Sequence, residues 1–135
     1  MKSSVTLQEG MAFEAELDGH TFLIDAFEDV GGKDKGPRPK GLTLTSLCGC
    51  TAMDVISILR KMKAEPEEFR VEADTELTDE HPKVFSGITL TYYFKGGDVT
   101  QEKAEKAVSL SEERYCGVSA MLRKAVPIET KIVIE

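Results

Sequence analysis

The sequence predicts a mixed α+β fold with the element order β-β-β-α-β-β-α-α-β, and three observations carry that reading. Short segments of alternating polarity open the chain, one long stretch of helical spacing follows, and a second alternating set precedes and follows two shorter helical patterns. With 135 residues the chain is read as one domain, 1–135, long enough to bury a core without disulfides.

Taken in order, "SVTLQE", "MAFEAEL" and "HTFLIDAF" are the first three strands, and the turn signals Glu9-Gly10 and Asp18-Gly19 between them make a meander. In the second, Met11, Phe13, Ala15 and Leu17 share one face while Glu14 and Glu16 share the other. "EDVGGKDKGPRPKG" has four glycines and two prolines, which excludes a regular element and leaves a loop long enough to carry function. From about Pro39 to Lys63, apolar residues at 44, 47, 48, 51, 55, 58, 59 and 62, with Thr51 tolerated among them, keep helical spacing over several turns. Ala52, Met53 and Ile56 widen that stripe, so a second subunit is the expected cover.

"EEFRVEADTEL" turns Phe69, Val71 and Ala73 inward, "VFSGITLTYYF" does the same with Ile88, Leu90, Tyr92 and Phe94, and "TDEHPK" joins them as a hairpin. "VTQEKAEKAVSLSEERY" is helical, with Thr100 as N-cap and Glu102 and Lys106 spaced i,i+4. A short helical piece, "GVSAMLRKA", and a strand, "IETKIVIE", follow.

The net charge of −7 sets a field that repels phosphate backbones and anionic membranes, so nucleic acid and membrane surfaces are not expected partners. No uninterrupted apolar run approaches the roughly 18 residues of a membrane span. The opening "MKSSVTLQEGM" lacks the apolar stretch of a secretory signal, which makes the cytoplasm the expected address. Three cysteines in a reducing compartment are thiols unless turnover oxidises them.

"TSLCGCTAMD" places Cys48 and Cys50 two residues apart on the long helix, hence roughly 160° apart around its axis. They cannot grip one metal or face one substrate together. Cys48 falls in the apolar stripe, where a free cysteine acts as a small hydrophobe. Cys50 falls on a seam with Thr43, Ser46, Asp54, Ser57 and Lys61, where polar groups gather, and near the helix start, whose N–H groups favour a thiolate. Cys116, in "ERYCGVSAM", lies at a junction before a short helix. A cysteine there is either structural or, aided by that helix start, reactive.

Zinc is not expected, because the cysteines and the two histidines, His20 and His81, form no repeated ligand pairs; both histidines read as strand or hairpin residues. "GGKDKGP" lacks the Gly-Lys-Ser/Thr ending of a phosphate loop. Carboxylates alternating along residues 67–78 form a wetted sheet face, not a glycosidase pair.

"PRPKGLTLTSLCGCTAMDVISILRKM" followed by "HPKVF" and "SEERYCGVSAMLRKAVPIETKI" resembles the OsmC/organic hydroperoxide resistance family over essentially the whole chain. The resemblance implies an OsmC-like fold and an intertwined homodimer with two long central helices and sites at the interface. It matches the two family cysteines to Cys50 and Cys116 and leaves Cys48 as an extra. It also implies a thiol peroxidase. Cys50 attacks an organic hydroperoxide, becomes a sulfenic acid and condenses with Cys116, and an external dithiol reduces the disulfide without metal or flavin. The peroxidase branch adds an arginine from an early strand and a glutamate ten residues before the first cysteine. Here that position is Lys40 and the first three strands contain no arginine, so the chain is closer to the OsmC-like branch with "GPRPK" before the helix. Arg38 and Lys40 are the candidate thiolate-stabilising cations. The rival function is a non-catalytic dimer that binds a small apolar ligand or senses oxidant.

Overall fold

The computed structural model describes every residue from Met1 to Glu135 and divides into two compact units, Met1–Thr43 and Leu44–Glu135. In the first, β1 (Ser3–Leu7), β2 (Phe13–Leu17) and β3 (His20–Ile24) form the expected antiparallel meander in the order β1-β2-β3. Asp18 and Gly19, with φ of 52° and 77°, form the two-residue turn between Leu17 and His20; both central residues are left-handed, which matches the twist of the flanking strands. The sheet leaves Val5, Leu7, Leu17, Phe22 and Leu23 exposed.

The Gly/Pro-rich loop is tied to the buried carboxylate of Asp25, which accepts from the backbone N–H groups of Ala26, Lys33 and Lys35 at 2.8, 3.0 and 3.2 Å. The Lys33 bond, followed by those of Lys35 and Ala26 and the charge of Arg38, holds that carboxyl below the usual carboxylate range despite burial. At Gly32 a Cβ would run into the Ala26 carbonyl, so only glycine lets the loop fold back this closely.

The long helix α1 runs Pro39–Lys61, with proline at its first position, where a missing N–H costs nothing. By length and composition it is apolar enough to cross a membrane, with a mean hydropathy of 1.6 over its best window. The expectation that no uninterrupted apolar run reaches that length holds, because Thr45, Ser46, Gly49 and Thr51 break it; only the average over the helix passes. In the second unit Leu47, Val55 and Leu59 of this helix are fully buried in the core, whereas Met53 is 73% exposed.

The core is closed by β4 (Glu68–Leu77) and β5 (Phe85–Lys95), antiparallel as expected, and β6 (Ile128–Ile134), which pairs parallel with β5. Ile88, Leu90, Tyr92 and Phe94 are the buried face of the central strand. Helices α2 (Gln101–Leu110) and α3 (Gly117–Leu122) make the crossover that a parallel pair requires. Thr100 caps α2 by accepting from Lys103 N–H at 3.2 Å. The expected continuation of this helix to Tyr115 takes a different form: Ser111–Tyr115 is a π turn, closed by a 2.7 Å bond from Cys116 N–H to the Ser111 carbonyl.

Candidate active site

Two elements bring the thiols together. α1 presents Cys50 and, one turn later on the same face, Asp54; the junction after the π turn presents Cys116. The two Sγ atoms and an Asp54 carboxylate oxygen all lie within 4.8 Å of one another. Cys50 is half-buried and Cys116 only 2% exposed. Cys48 packs against the core, as its place in the apolar stripe predicts, and burial pushes its thiol pKa up.

Two expectations about the thiols need correction. α1 begins at Pro39, so Cys50 lies about 16 Å along its axis and out of reach of the free N–H groups of the first turn. Cys116 does cap α3, its Sγ accepting from Ser119 N–H at 3.3 Å, but the helix start does not prevail. Burial, reinforced by the neighbouring Cys50 and the Asp54 charge, outweighs the Ser119 bond and pushes the Cys116 thiol up to about 11. It therefore keeps its proton at neutral pH.

Behind the thiols runs a buried polar chain that the sequence reading missed. Ser111 Oγ donates to Asp54 Oδ2 at 3.1 Å and lies 2.8 Å from Thr51 Oγ1, which lies 2.7 Å from Tyr92 Oη. Tyr92 donates to Glu112 Oε1 at 3.0 Å, where Thr130 Oγ1 also donates at 2.7 Å. Arg123 closes the chain, its Nη2 donating to Glu112 Oε2 at 3.0 Å and its Nε to Ser119 Oγ at 3.1 Å, so it supports the turn whose N–H meets Cys116. Burial drives the Tyr92 phenol far above the usual tyrosine range and keeps it a donor. The π turn explains why Ser111 and Glu112, adjacent in sequence, both reach inward: its wider winding sets neighbours closer in direction than the about 100° of an α-helix.

A cleft of about 290 Å³ opens beside Asp54, lined also by Ser57, Ile58, Lys61, Leu110 and Tyr115. Asp54, Ser57 and Lys61 are the seam that helical spacing assigned to Cys50. Of the two candidate cations, Arg38 donates to the Gly36 carbonyl at 2.6 Å and to Asp34 at 2.5 Å, and lies over the Phe27 ring at 4.6 Å. Lys40 is in the first turn of α1. His20 opens β3 and His81 precedes a cis proline in the turn between β4 and β5.

The family description "OsmC-like protein" matches residues 32–131. The chain is 36% identical over 129 residues to protein YhfA of Escherichia coli K12, covering 95% of this chain and 93% of that one. It superposes on the crystal structure of a hypothetical protein from Aquifex aeolicus VF5 with a TM-score of 0.87 and 25% identity, over 99% of this chain and 95% of the other. An organic hydroperoxide resistance protein from Legionella pneumophila shares the fold, with a TM-score of 0.72 and 19% identity over 98% and 97% of the two chains.

Proposed function

The chain belongs to the OsmC-like protein family, and on that footing we propose that it is a cysteine-based peroxidase that reduces organic hydroperoxides, with Cys50 as the attacking thiolate and Cys116 as the resolving thiol. The observation that supports this most directly is the approach of two thiols from distant parts of the chain to within 4.8 Å. Cys50, the more accessible, attacks the distal oxygen of the hydroperoxide; the O–O bond breaks, and the alkoxide leaves as the alcohol after taking up a proton. The Cys50 sulfenic acid is then attacked by Cys116 Sγ, the S–O bond breaks, and hydroxide leaves as water with the Cys116 proton. A disulfide of about 2.05 Å requires the sulfurs to close by less than about 3 Å. An external dithiol returns both thiols, and this chemistry needs no cofactor beyond them.

The working form is a homodimer in the cytoplasm. Exposed Met53 on α1 and the exposed apolar residues of β1–β3 supply the surface a second copy would cover. Arg38 and Lys40 are the proposed cations near the thiolate in that assembly. The test is intact mass without reductant after one equivalent of cumene hydroperoxide, followed by mapping of the linkage. A Cys50–Cys116 disulfide that forms within seconds and reopens with dithiothreitol supports the peroxidase. Free thiols after exposure would sink it and leave the cleft lined by Ile58, Leu110 and Tyr115 as a site for a small apolar ligand.

A further inference from the structure

We propose that the reduced protein binds one zinc-like divalent cation per chain through Cys50 Sγ, Cys116 Sγ and an Asp54 carboxylate oxygen. Spacing along the chain does not reveal this donor set, since one thiol comes from the middle of α1 and the other from the cap of α3. In space the three donor atoms lie within 4.8 Å of one another. A tetrahedral zinc site with bonds of about 2.0–2.3 Å separates its ligand atoms by about 3.6–3.8 Å, so closing on the ion takes about 1 Å of side-chain movement. Cys50 and Asp54 stand one helical turn apart on one face, the spacing by which a helix offers two ligands to one metal.

The surroundings suit such a site. Ser111 Oγ donates to Asp54 Oδ2 at 3.1 Å and is itself tied to buried Thr51 at 2.8 Å, which fixes the carboxylate as outer-shell partners of metal ligands do. Ser119 N–H already points at Cys116 Sγ. Asp54 also lines the cleft that holds Lys61, a cation beside a site whose three anionic ligands outweigh a divalent ion by one charge, and a water or exogenous ligand would complete the tetrahedron. Two thiolates with one carboxylate select zinc or cadmium over magnesium or calcium. Binding displaces one proton from each thiol, so two cysteine thiols and M²⁺ give the bis-thiolate complex and two H⁺. Metal and disulfide then exclude each other, because both need the same sulfurs.

The test uses the reduced, chelator-washed full chain and no peroxide, so it stands or falls apart from the peroxidase reading. Zn²⁺ is titrated in competition with a chromophoric chelator, and Co²⁺ is added to report its ligands. The expected result is one ion per chain at submicromolar dissociation constant, with tetrahedral Co²⁺ bands and charge-transfer intensity for two thiolates. Cys50→Ser and Cys116→Ser should each halve that intensity, Asp54→Asn should weaken binding at least tenfold, and Cys48→Ala should leave it unchanged. Circular dichroism checks that each variant is folded; should Cys116→Ser fail to fold, the α1 variants Cys50→Ser and Asp54→Asn carry the test. No stoichiometric binding by the wild type, wild-type binding in folded Cys50→Ser or Asp54→Asn, or loss of binding in folded Cys48→Ala would overturn the proposal.

Discussion

Replacing Thr51 with valine keeps the shape of a fully buried side chain and removes the hydroxyl that links Tyr92 to Ser111. Neither partner is orphaned, since Tyr92 still donates to Glu112 and Ser111 to Asp54. Tyr92 and Ser111 give their protons to Glu112 and Asp54, so the single Thr51 proton makes one hydrogen bond at a time; losing it, less the gain of burying a methyl in place of a hydroxyl, costs about 0.5–1 kcal/mol. In a chain of 135 residues this lowers the Tm by about 2–4 °C. Tyr92→Phe should cost more, about 2–3 kcal/mol, because its bond to Glu112 involves a charged partner. The two substitutions share one bond, so the double variant should lose about 1 kcal/mol less than the sum. Urea unfolding of all four proteins at one fixed concentration measures this, the concentration being held because a dimer would tie stability to it. A Thr51→Val protein as stable as the wild type, or strict additivity with Tyr92→Phe, would refute the account of this chain as a coupled network.

Three further outcomes are expected. Because the folded pKa of Asp25 is lowered, its contribution is fully present above the ordinary value of 3.8 and is lost as pH falls through the folded value; the protection of the Lys33 and Lys35 amides relative to their intrinsic exchange rates should therefore fall as pH drops below 3.8, and Asp25→Asn should remove that pH step. Alkylation of the reduced protein, mapped by mass spectrometry, should label Cys50 first and reach Cys116 only on unfolding, and equal labelling of the two would contradict their burial. Met53→Glu, at a 73% exposed position on α1, should convert the proposed dimer to monomer in light scattering without loss of secondary structure.

Much of the architecture was legible because alternation and helical spacing are local signals. β4 and β5 alternate as the sequence does, and Thr100 caps α2 where a cap was expected. The seam of Cys50, Asp54, Ser57 and Lys61 followed from helix geometry alone. The polar chain was not legible, because the contacts that join α1 to the rest of it link residues 41, 57 and 60 positions apart and alternation counts Tyr92 as one more inward side chain. The available clue was a hydroxyl at two core positions, Thr51 and Tyr92, since a buried hydroxyl needs a partner. The π turn left no trace, for "SLSEERY" continues a helical pattern in which adjacent Ser111 and Glu112 are not expected to share a direction. The burial that sets the Cys116 thiol likewise depends on elements far from it in the chain.

The parallel pairing of β6 with β5 has a consequence for the order in which the protein can be made. A hairpin can close as soon as its second strand is synthesised, but β6 can dock only after the whole α2–π turn–α3 crossover has emerged from the ribosome. Thr130, which anchors Glu112, and the Ile128 carbonyl, which takes Arg123 Nη1 at 3.3 Å, arrive with that strand. Cys50 is therefore synthesised well before the strand that anchors Glu112 and Arg123.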